Sequence, residues 1–138
     1  MPWQSLSATL GAKPHVLAGP VLRKVTSREV TVWFALRRAC TITLKVFQGN
    51  NAILTGTTAT VAVGVNLHIV AVTADKLQPP HSGLIEGIVY EYDAIFDFGG
   101  LQITLSGATH NASLAYPPFT RPSFCLPPAN VNQLRLIH

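Results

Sequence analysis

Charge is scarce in this chain. Only 12% of its 138 residues are Asp, Glu, Lys or Arg, about half the usual share. Apolar residues make up 48%, so the signature of disorder, high charge with low hydrophobicity, is missing and the chain is expected to fold. So few charges leave little to cover the outside, which points to a surface covered by another domain or subunit. The ten basic residues, set against six acidic ones for a formal charge of +4, are dispersed apart from the pairs Arg23-Lys24 and Arg37-Arg38. Neither a basic stripe nor interleaved aromatic platforms are present, which excludes the usual patterns of nucleic-acid binding.

Long apolar runs are missing too. No uncharged apolar stretch approaches the roughly eighteen residues that a helix needs to cross a bilayer. Met1-Pro2-Trp3-Gln4-Ser5 lacks the charged start and apolar run of a secretory signal. The expected compartment is therefore the cytoplasm, with the two cysteines, Cys40 and Cys125, as reduced, buried or half-buried thiols. The glycosylation sequon Asn111-Ala112-Ser113 has meaning only in a secreted chain and is set aside.

Helical periodicity is absent, and period two takes its place. Val30, Val32, Phe34 and Leu36 alternate with Thr31, Trp33 and Ala35, which predicts a strand with one large apolar face and Trp33 on the other. Thr41 to Gln48 repeats the pattern, with Ile42, Leu44 and Val46 opposite Thr43, Lys45 and Phe47. The short link Arg38-Ala39-Cys40 predicts a hairpin between these two strands. Val16 to Val25 predicts an opening strand that Gly19-Pro20 confines to a sheet edge or a bulge. After the turn at Gly49-Asn50-Asn51, residues 52 to 63 predict one strand of weak register or two short ones. From Val65 to Thr73, Val65, Leu67, Ile69 and Ala71 oppose Asn66, His68, Val70 and Val72, one face strongly apolar and the other partly so. Pro79-Pro80 marks a connection.

The clearest alternation runs from Gly87 to Asp97. Ile88, Tyr90, Tyr92, Ala94 and Phe96 share one face, and Glu91, Asp93 and Asp97 lie on the other. Gly99-Gly100 predicts a turn, with Leu101 to Leu105 pairing back. Residues 106 to 120 read as loop, and the five prolines from Tyr116 to Pro128 suggest a stiff spacer.

Recognisable catalytic patterns are missing. His15, His68, His81, His110 and His138 show no metal-ligand spacing. No serine sits in a nucleophile elbow, and neither a phosphate-cradling glycine loop nor a dinucleotide fingerprint occurs. Glu91, Asp93 and Asp97 are expected to keep a strand face wet and to pair loosely with Lys45 or Arg37. Tyr90 and Tyr92 match the tyrosine-bearing strand of immunoglobulin-like sandwiches, where a hydroxyl satisfies a backbone group at a corner.

Three stretches resemble a known family. Leu17-Ala18-Gly19-Pro20 followed by Val25, then Val30-Thr31-Val32-Trp33, then Tyr90-Glu91-Tyr92, resemble the fibronectin type III-like domain that precedes the catalytic domain of PhoD-like alkaline phosphatases. Phe124-Cys125-Leu126-Pro127-Pro128, leading into Asn132 to His138, looks like that family's proline-rich junction and the opening strand of its metallophosphoesterase domain. The resemblance covers about residues 16 to 138. It implies that the metal-binding and catalytic residues, with their divalent metal ions, belong to a following domain, and that Cys125, which precedes the junction, is not a metal-binding cysteine of that domain. The missing export signal points to a cytoplasmic phosphomonoesterase or phosphodiesterase as the parent enzyme.

The expectation is an all-β, immunoglobulin or fibronectin type III-like sandwich of seven or eight antiparallel strands. It divides the chain into an irregular leader over residues 1 to 15, a sandwich over 16 to 126 and a linker over 127 to 138. The module itself carries no catalytic, cofactor or metal residues. It packs on a downstream catalytic domain, with Trp33 and Phe47 as the candidate inter-domain contacts and homo-oligomerisation left open. The alternative is a free-standing binding or protein-interaction module.

Overall fold

The alternation read from the sequence translates into two antiparallel sheets laid face to face. The computed structural model describes residues 2–110 and 114–133. The sequon and residues 134–138, expected to open a following strand, lie outside the described residues. Ten strands are formed among the described residues, rather than seven or eight, because several are only two to four residues long. One sheet takes the order β1 (Val16–Val25), β2 (Val30–Leu36), β6 (Leu67–Ala74), β5 (Val61–Gly64). The other runs β10 (Ser123–Cys125), β8 (Val89–Asp97), β3 (Thr41–Gln48), β4 (Asn51–Ala59), β7 (Lys76–Leu77). A further strand, β9 (Gln102–Thr104), pairs with the far end of β8. With β1, β2, β6 and β5 in one sheet and β8, β3 and β4 in the other, the strand order is that of an immunoglobulin-like sandwich.

The inner faces supply the core. Val30, Val32, Phe34 and Leu36 of β2 are completely buried, as are Ile42, Leu44 and Val46 of β3 and Ala94 and Phe96 of β8. Each large side chain so removed from water stabilises the fold by about 1.5 to 3 kcal/mol. Phe34 and Phe96 meet edge to face across the two sheets with ring centroids 5.2 Å apart. Tyr90 is buried at the start of β8, and its hydroxyl accepts the Ile85 N–H at 2.8 Å. This is the tyrosine corner that the spacing predicted.

Several readings need correction. The link Arg38-Ala39-Cys40 does not close a hairpin: β2 and β3 lie in different sheets, so their apolar faces meet across the core instead of lying side by side. A three-residue link reaches as easily across a sandwich as along a sheet. Residues 52 to 63 form two strands that also belong to different sheets, with the crossing at Thr60. The two crossings bind each other, since Cys40 N–H donates to Thr60 Oγ1 at 3.1 Å and Thr60 N–H donates to Cys40 O at 3.0 Å. On β6 the core takes Val70, Val72 and Ala74, while Leu67 and Val65 on the more apolar-looking side are exposed.

The leader is partly regular. It forms a helical turn α1 (Leu6–Thr9) and a single turn of 3-10 helix over Leu10–Ala12, held down by buried Leu10 and by Arg37, whose guanidinium donates to the Leu10 and Gly11 carbonyls. The segment read as loop opens with a short helix α2 (Leu105–Thr109), whose Leu105 and Ala108 are buried. The proline-rich stretch contains β10, paired with Val89 to Glu91, so part of the expected spacer is sheet. The edge position and irregular register expected for β1 at Gly19-Pro20 are both present.

Gly56 marks the place where the sheets pinch together. It faces inward opposite Leu44, and a Cβ there would lie 1.8 Å from the Thr73 carbonyl oxygen of the other sheet. Gly56→Ala should therefore cost about 3 kcal/mol or more in urea unfolding, at the upper end of overpacking effects. Gly64→Ala, where a Cβ meets nothing within 4 Å, should change stability by no more than about 0.5 kcal/mol. Equal effects of the two substitutions would show that the sheets do not approach closely at this point.

Candidate functional site

The two outer faces of the sandwich differ. On the four-stranded sheet, β2 presents Trp33 outward, flanked in register by Val21 of β1 and Ala71 of β6. The neighbouring row runs Ala18, Ala35, Ile69, Val61. Trp33 is half-buried among these small neighbours, while Val21 and Val61 are 43% and 65% exposed. Apolar side chains thus face outward on all four strands, Ala35 being itself buried among them, and no acidic or basic side chain interrupts those two rows.

The outer face of the six-stranded sheet is covered by its own chain. Phe47 points outward from β3, and the Arg121 guanidinium stacks over its ring at 4.0 Å. Glu91, on the neighbouring β8, is buried. Its carboxylate accepts the Arg121 N–H at 3.0 Å and faces the Arg121 side chain at 3.8 Å. Tyr92 N–H donates to the Pro122 carbonyl at 2.9 Å, and β10 continues the attachment. Of the expected partners of the acidic face, Lys45 stands in register opposite Asp93, whereas Arg37 is occupied by the leader's carbonyls and Glu91 is taken by Arg121, which corrects the reading for those two. Asp93 accepts the Ala94 N–H, and Asp97 accepts Gly99 N–H, Gly100 N–H and the Gln102 amide, which hold its carboxyl below the usual range.

Trp33 and Phe47, the two residues singled out for inter-domain contact, therefore lie on opposite outer faces and are not brought together. Beside the Arg121 attachment lies a cleft of about 220 Å³ whose lining includes Asp93, Thr104, Leu105, Ser106, Leu114 and Arg121. Its arginine and aspartate are already hydrogen-bonded within the fold, and no histidine lines it among the described residues. The arrangement can hold a small polar group.

A third grouping was invisible in the sequence. His15 and Arg38 meet at Phe98 at one pole of the sandwich, the His15 ring 4.5 Å and the Arg38 guanidinium 5.5 Å from the Phe98 ring centroid, with Arg37 and His110 near enough to His15 to act on its charge. Burial, then Arg37, Arg38 and His110, lower the His15 pKa. Cys40, beneath the same pole, is pushed up to about 11 by burial and then by Asp97, and is inert as a nucleophile at neutral pH. Cys125, expected to be buried or half-buried, is exposed. Among the described residues no group of three or more His, Cys, Asp or Glu side chains could hold a metal ion, and no helix is long and apolar enough to cross a membrane.

A protein family described as a domain of unknown function, DUF7800, matches residues 13–96. The chain belongs to this family. No curated protein and no solved structure matches it. The DUF7800 match runs from just before β1 to Phe96 in β8, so the apolar face around Trp33 lies wholly within it. The Arg121 attachment and β10 lie beyond it.

Two outcomes are expected. Arg121→Ala should release the proline-rich segment from Phe47 and leave Glu91 buried with half its partners, lowering stability by about 2 kcal/mol. Hydrogen exchange should show Ser123–Cys125 losing protection while β2 keeps it, and unchanged protection would contradict the attachment. The lowered His15 pKa means that the unfolded chain binds a proton at His15 more readily than the folded one. Stability is then present above 6.5 and lost as pH falls below it. His15→Gln should flatten the decline in urea midpoint between pH 6.5 and about 5, ahead of the carboxylate titrations that begin lower.

Proposed function

We propose that this DUF7800 domain is a non-catalytic accessory module that packs against a catalytic domain of the same polypeptide, and that the parent protein is a PhoD-like metallophosphatase or phosphodiesterase of the cytoplasm. The observation that carries the reading is the uncharged outer face around Trp33. An apolar surface spanning four strands is what a domain interface leaves behind when its partner is removed. Trp33, rigid and half-buried at its centre, is the kind of anchor that dominates such contacts. The sequence likeness of Val30-Thr31-Val32-Trp33, Tyr90-Glu91-Tyr92 and the proline-rich end to the corresponding domain of PhoD-like enzymes supplies the identity of the partner. The cytoplasm is supported by two unpaired cysteines.

On this reading the divalent metals of the parent enzyme are held by the following domain. The described residues of this chain offer no donor set that fits them. The face opposite Trp33 is occupied by the chain's own residues 114–125 and is not the docking side, so Phe47 serves the internal attachment.

The test has two parts. The purified chain, assayed with p-nitrophenyl phosphate and bis-p-nitrophenyl phosphate in the presence of Mn²⁺, Zn²⁺ or Ca²⁺, should show no turnover above buffer. The coding region read onward from His138 should encode a metallophosphoesterase. Hydrolysis by the chain alone, or a reading frame that stops at His138, would sink the proposal. A frame that stops there would favour a free-standing interaction module.

A further inference from the structure

The two ends of the sandwich carry charge differently. Toward the end where β1 turns into β2, Arg23, Lys24 and Arg28 are set among Glu29 and Glu86, and Lys24 is paired with Glu29. Asp75-Lys76, just past β6, adds one charge of each sign there. At the other end, the pairs Val16–Leu36 and Thr41–Asp97 bring together the start of β1, the Arg37–Cys40 link and the turn after β8. Lys13, Arg37 and Arg38 lie here with His15, and of the chain's six acids only Asp97 joins them. Its carboxylate is engaged by its own turn, accepting from Gly99 N–H, Gly100 N–H and the Gln102 amide. This pole is therefore basic, a concentration that the dispersal of charge along the sequence conceals.

The same pole ends in uncovered aliphatic side chains. His68 stands opposite Leu36, so the β5–β6 turn at Val65-Asn66 projects past the end of β2. It lies within two strand spacings, about 10 Å, of the Arg37–Arg38 link. Val65 at its tip is 92% exposed, with Val63 at 59% and Leu67 at 39%. No Asp, Glu, Lys or Arg occurs from Val46 to Ala74, so nothing charged accompanies these residues on their own hairpin. On the other side of the arginines, Leu101 closes the turn after β8 and is 58% exposed.

We propose that this pole is a peripheral membrane-contact surface, in which Val63, Val65, Leu67 and Leu101 enter the headgroup region of an anionic phospholipid bilayer while Lys13, Arg37 and Arg38 meet its phosphates. The charge selects an anionic partner, and the form of the apolar groups selects lipid among anions. Single-stranded nucleic acid stacks its bases on flat rings, and valine offers none. A protein partner is held by closely packed, shape-matched anchors, whereas these side chains stand on separate turns with the basic link between them. A fluid interface conforms to such projections, gains from burying each of them, and leaves long basic side chains level with the headgroups. The contact is peripheral and involves no spanning segment. It uses one end of the sandwich, so the Trp33 face along the side stays free for a neighbouring domain, and neither contact requires the other.

Flotation of the full chain with phosphatidylcholine vesicles containing about 30% phosphatidylserine should recover it with the lipid, whereas vesicles of phosphatidylcholine alone should not. Raising salt from about 0.1 M to about 0.5 M should release most of it, because exposed charges are then screened. Val65→Asp, and Lys13→Ala combined with Arg38→Ala, alter exposed side chains, so circular dichroism should stay that of the parent chain. In each, the partition onto the phosphatidylserine vesicles should fall by about tenfold or more. The proposal is overturned by a chain that stays in the aqueous fraction at low salt, by equal binding to both vesicles, or by binding that Val65→Asp and the alanine pair leave intact. Binding lost with Trp33→Ala and kept in the other variants would overturn it too, since the contact would then lie on the sheet face. Retention on heparin that the alanine pair abolishes and Val65→Asp does not, with no flotation, would assign the pole to a soluble polyanion instead.

Discussion

Across the middle of the molecule, the Phe34 ring of one sheet stands edge-on to the Phe96 ring of the other. Around this pair, Val32, Leu36, Ile42, Leu44 and Val72 are sealed completely from water. The sandwich depends on this layer, because neither sheet has another means of burying its apolar side. Strict alternation along β2, β3 and β8 builds it, and the same alternation decides what is left outside. Once Val30, Val32, Phe34 and Leu36 are turned inward, Trp33 must point outward. Once Ile42, Leu44 and Val46 are turned inward, so must Phe47. The surface features are thus consequences of the core pattern rather than separate choices.

The two faces then part company through chain path. After β8 the polypeptide turns at Gly99-Gly100, forms β9 and α2, and returns along the outer side of the six-stranded sheet to end in β10. In doing so it converts Glu91 from a wet surface acid into a buried acceptor for Arg121, and it covers Phe47 with a guanidinium. On the four-stranded sheet Val21 and Val61 stay exposed and Trp33 half-buried, although Ala35 beside it is covered. The scarce charge is therefore unevenly spent: paired charge secures one face, and on the other it is confined to the Lys24 end, away from the rows of Trp33 and Ala35.

Much of this was legible beforehand, for a physical reason. Period-two burial leaves a local trace in the sequence, so β2, β3 and β8 could be placed closely, and the Tyr90 corner followed from its distance into the last of these. Sheet membership leaves no such trace. The links at Arg38–Cys40 and at Thr60 look like hairpin or bulge chemistry, yet both carry the chain across the core, and what fixes them is a mutual hydrogen-bonded contact between residues twenty apart. Glu91 and Arg37 were misassigned for the same reason. Lys45 stands opposite Asp93 on the adjacent strand, whereas Arg121, thirty residues from Glu91, reaches it by a route no periodicity encodes. The helix α2 is too short to show a period, and the gathering of His15 with His110 needs both ends of the fold in place.

The accessory role proposed for this domain fits the way its polar groups are used. A catalytic site needs polar groups that are held in place yet left with free valence toward a substrate. Here the fold spends its well-placed polar groups internally: Glu91 and Arg121 on each other, Arg37 on the leader, Asp97 on its turn, the Tyr90 hydroxyl on Ile85. The apolar surface is treated in the opposite way, since Trp33, Val21 and Val61 are backed by a fully packed sheet and remain half-buried or exposed. Rigid apolar area with few rotatable polar groups loses little conformational freedom on docking, which is the condition under which burial converts efficiently into binding. Such a surface supports the proposed docking on a neighbouring domain through the outer faces rather than the interior.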